Sequence, residues 1–186
     1  MTAERDMSER VERVEAHLAI QQLAARYAAA ADSRNLDALV ELFAPDVEFG
    51  PWGVDRDELR TFFDRVLRRF YRSMHQVVGH VIDIESADRA SGTVYCRAEH
   101  EDGDRWVVMA ICYVDRYRRV DGRWYFERRL VRHWYSSDLV ERPHGPDFQS
   151  WPGHEHHRPE LPHAFATWAP FWAGSPETVA DLSEWP

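Results

Sequence analysis

The sequence predicts an α+β fold in which three helices are followed by a curved antiparallel sheet. Two observations carry this. Apolar residues recur at helical spacing from Arg10 to Tyr71, and after Ser73 the period changes to two. A third feature bounds the fold: regular patterning ends near Tyr135, where an irregular arm begins.

The first helix is expected from Arg10 to Ala31, with Val11, Val14, Leu18, Leu23, Tyr27 and Ala31 near one stripe and Glu and Arg elsewhere. It ends near Asp32. A short helix, Leu36 to Phe43, is stopped by Ala44-Pro45. Asp46 to Phe49 alternates like a short strand before Gly50, Pro51 and Gly53. Asp55 can cap a third helix, Arg56 to Tyr71, which carries Leu59, Phe62, Phe63, Val66, Leu67 and Phe70. Four strand-like runs follow: His75 to Glu85, Gly92 to Glu101, Arg105 to Val120 and Arg123 to Tyr135. Turns at Ala87-Asp88-Arg89, Asp102-Gly103-Asp104 and Asp121-Gly122 join them into a meander.

The domain is expected to span 1–135, with an arm over 136–186. The arm holds eight of the ten prolines, four of the eight tryptophans and five of the ten histidines, so it cannot run as regular helix or sheet for long. Trp151, Phe165, Trp168, Phe171 and Trp172 would be costly to leave in water, so the arm is expected to pack on the domain or on a partner subunit. His154, Glu155, His156 and His157 cluster there, but adjacent residues rarely converge on one ion, and no metal site is expected.

Composition narrows the chemistry. The 186 residues are 44% hydrophobic and 30% charged, an ordinary globular balance for one domain with some extra length. The formal net charge of −9 disfavours a phosphate backbone, so nucleic acid is not an expected partner. No run approaches the ~18 apolar residues of a membrane helix. The charged N-terminus does not resemble a secretory signal, and the expected location is cytoplasmic. All 23 basic residues are arginine. Without lysine there is no Schiff base, pyridoxal phosphate attachment or Walker lysine. The motifs of dinucleotide binding, serine hydrolases and zincins are missing as well, and no cofactor is expected. Cys96 and Cys112 sit in apolar stretches and read as small buried hydrophobes.

Several strings resemble one family. They are Ile20-x-x-Leu23-x-x-x-Tyr27-x-x-x-x-Asp32, Leu42-Phe43-Ala44-x-Asp46, Ser73-x-His75, Tyr113-x-Asp115-x-Tyr117, and Asp121-Gly122-x-Trp124-x-Phe126-x-x-Arg129. In this order they are similar to the SnoaL-like branch of the nuclear transport factor two superfamily, over about residues 10 to 135. The resemblance implies a cone-shaped fold and pairing of copies into a homo-oligomer, a dimer or trimer. Scytalone dehydratases, bile-acid dehydratases and lindane dehydrochlorinases resemble the chain most. Asp32 and His75 match the acid–base pair of such enzymes, Tyr27 a tyrosine of the dehydratases, His100 a second histidine, and Arg129 an arginine of the dehydrochlorinases. The latter carry lysine where this chain has Tyr27, so the departure leans toward loss of an oxygen leaving group.

Read from chemistry, His75 has the natural pKa for a base near neutrality. Asp32, at a helix C-terminus where a carboxylate is disfavoured, needs a donor and can fix the imidazole tautomer. The Tyr27 phenol and His100 can donate to an oxygen that leaves or gathers charge. On a regular strand His75 and His80 would face opposite ways unless a bulge intervenes. The same alternation leaves open whether Arg129 or Arg128 enters the cone, and a buried Arg129 would need an anion such as Asp32.

The expectation is a cofactor-independent lyase that eliminates water from a small apolar cyclic or aromatic hydroxylated substrate. An isomerase or an aldehyde-releasing carbon–carbon lyase would use the same parts. A non-catalytic binder, or a scaffold like a dioxygenase β subunit, would need no Asp32–His75 pair.

Overall fold

The computed structural model describes residues 2–50 and 53–140, together with positions 151, 153, 159–160, 163–164, 166, 169 and 173. Helix α1 (Thr2–Asp32) buries Ala16, Ile20, Leu23, Ala24, Ala28 and Ala31, a face of mostly small residues that lets the helix lie close to the sheet. The expected stripe is only half right. Leu23 and Ala31 are buried, but Val11, Val14 and Leu18 are exposed. Every described position from Asp6 to Glu15 is exposed.

The helix ends with Asn35 N–H bonded to Ala30 O (2.9 Å) and Arg34 N–H to Ala31 O (3.2 Å). Arg34 takes the left-handed conformation, φ 59°, at the position where glycine is usual. For a residue with a Cβ this costs roughly 1–2 kcal/mol.

Asn35 then caps α2 (Leu36–Val40), its side chain accepting from Ala38 N–H at 3.0 Å. The helix is shorter than expected, since Leu42 and Phe43 turn to meet the sheet. Leu42 O accepts from Phe126 N–H and Phe126 O from Ala44 N–H, both at 2.9 Å. This lone parallel bridge at Phe43 replaces the expected strand at Asp46 to Phe49. Pro45 offers no N–H to a ladder, and Val47 N–H folds back onto Ala44 O at 3.1 Å.

Asp55 caps α3 (Arg56–Leu67) by accepting from Asp57 and Glu58 N–H, both at 2.9 Å, and the helix buries Leu59, Phe63 and Leu67. It stops before Tyr71, whose N–H bonds instead to Glu101 O at 3.0 Å.

Four strands, β1 (Ser73–Ile84), β2 (Arg89–Asp102), β3 (Arg105–Val120) and β4 (Arg123–Asp138), form an antiparallel meander in the order β1-β2-β3-β4. Asp121 and Gly122, at φ 47° and 81°, make the tight turn between β3 and β4. Three bulges bend the sheet, between Val77 and Gly79, Ala110 and Ile111, and Arg116 and Tyr117. The first inserts Val78, so His75 opposes Ala98 and His80 opposes Val94, and both histidines reach the inner face. In the third, Tyr117 opposes Phe126 while Asp115 opposes Arg129, which leaves Glu127 as the extra residue. Phe126 and Arg129 therefore share the inner face, and Arg128 is exposed.

The core has two parts. Ile20, Leu39, Phe43, Phe63, Tyr117 and Phe126 pack between helices and sheet. Ala24, Phe70, Val94, Cys96, Ala98, Met109, Ile111, Tyr113 and Trp151 form the second part, and Tyr27 touches both. Cys96 and Cys112 are buried free thiols, and burial pushes Cys96 up to about 12. Strand β4 runs past the expected domain end at Tyr135. Trp151 donates from Nε1 to Asp102 at 2.7 Å, and Glu160 pairs with Arg132 at 2.7 Å, so these arm residues pack on the domain. His154, Glu155, His156, His157, Phe165, Trp168, Phe171 and Trp172 lie outside the described residues. Among the described residues, no helix is long and apolar enough to cross a membrane.

Candidate active site

The inner end of α1 meets the start of β1 through one carboxylate. Asp32 Oδ1 lies 2.7 Å from His75 Nδ1, and Asp32 Oδ2 accepts the backbone N–H of the same histidine at 2.9 Å. Two donors thus meet the carboxylate that a helix C-terminus would otherwise disfavour. Burial works to raise the pKa of Asp32. The hydrogen bonds from the His75 ring and backbone, with the charges of His75 and Arg34, outweigh it and hold the carboxyl below its ordinary range. An ionised Asp32 fixes the proton on Nδ1 and leaves His75 Nε2 as the basic atom. The His75 side chain is 9% exposed, so the ring sits in a largely dry setting.

His100 sits beside it, the two rings 5.5 Å apart at 76°. Ser73 and His100 are register partners, and Ser73 Oγ is 2.9 Å from His100 Nδ1. Phe70 stacks on the ring at 4.2 Å. Burial, helped by the charges of His75 and Arg34, pushes His100 down to about 3. At neutral pH it is therefore an uncharged hydrogen-bond donor rather than a cationic acid.

Tyr27 approaches from α1 and meets His75 edge-on, ring centroids 6.3 Å apart. Burial raises its pKa against the opposing pull of Arg129, so the phenol stays protonated, and it shares a hydrogen bond with Tyr113. The Arg129 guanidinium lies 4.4 Å from the Tyr27 ring and 4.1 Å from those of Tyr113 and Phe126. Its partner is Asp115, not Asp32: Nε and Nη2 donate to the two carboxylate oxygens at 2.9 and 2.6 Å. The two side chains are 4% and 0% exposed. Burial opposes the charge on Arg129, but Asp115 outweighs it and raises the pKa. Tyr117 completes the arrangement by donating to Asp115 at 2.9 Å, with His80 Nε2 2.9 Å from the same hydroxyl. His80, whose pKa burial lowers, thus belongs to the Asp115 network rather than to the Asp32–His75 pair.

All five sequence-derived candidates lie on the inner side: Asp32, His75 and His100 together, Arg129 in the Asp115 network, and Tyr27 between the two groups. Sequence reasoning missed Arg34, Ser73, Tyr113, Asp115 and Tyr117. The alternation Tyr113-x-Asp115-x-Tyr117 was a usable signal, since it puts all three on one strand face. Among the described residues, no group of three or more His, Cys, Asp or Glu could hold a metal.

An imidazole held by a carboxylate, an uncharged second imidazole, a protonated phenol and a buried guanidinium thus gather on the concave sheet face of a cone of the nuclear transport factor two-like superfamily. The chain belongs to the SnoaL-like domain family, which matches residues 12–130. Among solved structures it is similar to a candidate scytalone dehydratase from Novosphingobium aromaticivorans. That match has 23% identity and a TM-score of 0.61 over 70% of this chain and 92% of that one. It is similar also to hexachlorocyclohexane dehydrochlorinase LinA type 3 from Novosphingobium barchaimii, with 22% identity and a TM-score of 0.64 over 71% and 95%. A Mycobacterium tuberculosis protein of unknown function matches at 25% identity and a TM-score of 0.58, over 66% and 73%. No curated protein matches the chain.

Proposed function

We propose that this protein is a cofactor-independent lyase that removes water from a small, apolar, cyclic or aromatic hydroxylated substrate. His75 Nε2 takes the proton from the carbon beside the activating group, and Asp32 stabilises the imidazolium that forms. The carbon–oxygen bond breaks as the carbon–carbon double bond forms. The hydroxyl leaves as water after taking a proton from the imidazolium, directly or through the Tyr27 phenol, which restores His75. Tyr27 and His100 donate hydrogen bonds to the oxygen that gathers charge, and Arg129 places a fixed positive field behind Tyr27. Phe70, Tyr113, Met109 and Ile111 belong to the buried apolar cluster next to these groups, which suits an apolar substrate better than a charged one.

The observation that carries this reading is the double contact of Asp32 with His75. Support comes from two neighbours whose names denote eliminations, one of water and one of hydrogen chloride, and from Tyr27, a donor suited to an oxygen leaving group. The test is incubation with a panel of hydroxylated aromatics and steroids, with products weighed by mass spectrometry. Loss of one water supports the reading. An unchanged mass with a moved double bond means isomerisation, and loss of a formaldehyde-sized fragment means carbon–carbon cleavage. His75→Ala is expected to reduce turnover by at least ~10² with the fold intact. Near-normal turnover would remove the base.

A further inference from the structure

The second histidine of the site is held in a way the acid–base pair does not explain. Arg34 follows the last turn of α1 in a left-handed conformation that side chains rarely adopt, at φ 59°. Such strain persists where surrounding contacts over-determine it. The Arg34 guanidinium donates to Ala31 O at 2.8 Å, to Phe70 O at 3.2 Å and to Ser73 Oγ at 3.2 Å. One side chain thus ties together the end of α1, the segment after α3 and the first residue of β1.

The Ser73 contact has a directional consequence. A guanidinium has donors only, so Ser73 Oγ accepts there and its own proton is free for another partner. Its other partner among the described residues is His100 Nδ1, at 2.9 Å. With that proton directed at Nδ1 the nitrogen is bare and the single proton of a neutral His100 lies on Nε2, the arrangement that uses the hydroxyl's one donor on the partner in reach. Phe70, whose carbonyl Arg34 holds, stacks on the same imidazole at 4.2 Å and fixes its plane.

We propose that Arg34 and Ser73 are positioning residues that hold His100 as the Nε2–H form, acting through the chain of donors Arg34 to Ser73 to His100. The chemical purpose rests on the lyase reading, in which His100 must donate to the substrate oxygen; the geometry stands without it. The two histidines are then set in opposite senses. Asp32 accepts from Nδ1–H of His75 and so leaves Nε2 a base, and Ser73 donates to Nδ1 of His100 and so leaves Nε2–H a donor.

The test needs no substrate. Long-range proton–nitrogen correlation spectra of protein with 15N-labelled histidine are recorded near pH 7, with His100 assigned through His100→Gln. In the unaltered protein, His100 Nδ1 is expected to resonate as a bare, hydrogen-bonded nitrogen and Nε2 as a protonated one. Ser73→Ala should move the Nδ1 resonance to that of an unbonded nitrogen or average it with a protonated form. Ser73→Thr and Arg34→Lys, which keep the donor chain, should leave it near its original position. His75, governed by Asp32, should not follow and serves as the internal reference. A protonated Nδ1 on His100 in the unaltered protein would overturn the proposal, and that spectrum decides the matter even if Ser73→Ala fails to fold. A resonance unmoved in folded Ser73→Ala would overturn it too. Once a substrate is known, Ser73→Ala should lower kcat with little change in KM, and Ser73→Thr should restore it. A lyase reading refuted by an inactive panel would leave the spectra unchanged, so the two failures are distinguishable.

Discussion

Replacing Asp32 by asparagine changes one atom and reverses the hydrogen-bond logic of the site. The carboxylate accepts twice from His75, from the ring at 2.7 Å and from the backbone at 2.9 Å. An amide has one accepting oxygen and one donating nitrogen. The backbone N–H of His75 cannot become an acceptor, so it claims the amide oxygen and the amide N–H₂ faces the imidazole. The ring must then present a bare Nδ1 and carry its proton on Nε2, the atom that has to be free. The same swap in a serine protease triad, which inverts the tautomer with geometry intact, lowers kcat about 10⁴-fold. A loss of that order is expected for Asp32→Asn, with a fold that matches the parent by circular dichroism. The assay is turnover of the substrate identified by the panel, alongside nitrogen spectra that should show His75 protonated at Nε2. Turnover within tenfold of the parent, or a His75 still protonated at Nδ1, would refute the reasoning.

Three further outcomes are expected. Arg129→Met leaves Asp115 buried without its cation and should lower stability by about 3–5 kcal/mol in urea unfolding, whereas a loss under ~1 kcal/mol would mean water reaches Asp115. Gly92→Ala would place a Cβ 2.7 Å from Val81 O and 3.1 Å from the Tyr117 ring, and should destabilise by about 1–3 kcal/mol, an effect a thermal melt would miss only if the strands part freely. His100 gives a pH signature. Its folded pKa lies at about 3 against an ordinary 6.5, so between those values the unfolded chain binds a proton that the native chain refuses. Stability should therefore fall as pH drops from about 6.5 toward 3, with a slope of up to about 1.4 kcal/mol per unit from this ring, and His100→Gln should flatten that limb of the urea-derived stability curve.

The elements were legible where a period repeats. The four strands and the capped third helix follow the alternation and the Asp55 cap, and the pairing of Asp32 with His75 was implied by the family resemblance, with a helix-end carboxylate that needs a donor as its chemical reason. Bulges were not legible, since each is a one-residue break in the alternation on which the reading depends. Val78 and Glu127 are therefore what put His80 on the same face as His75 and Arg129 on the same face as Phe126, against the plain count. The buried face of α1 was misjudged for a different reason. Periodicity shows that Val11 and Leu18 share a stripe, but not where the sheet behind them ends. Arg34 gave no signal at all, because its left-handed backbone is set by contacts with Phe70 and Ser73, far along the chain.

The extra residue in the first strand makes that strand two independent phrases. Positions before Val78 keep time with the chemistry, and positions after it keep time with the packing of Ile82 and Ile84. Pairing Val78 as an ordinary ladder residue would leave the first phrase in step and turn the second inside out, setting Asp83 toward the apolar interior, whereas deleting it would keep every pair in register. Val77 and Gly79 are thus successive rungs of the ladder although Val78 stands between them, and the strand keeps its two faces only because that residue stays out of the count.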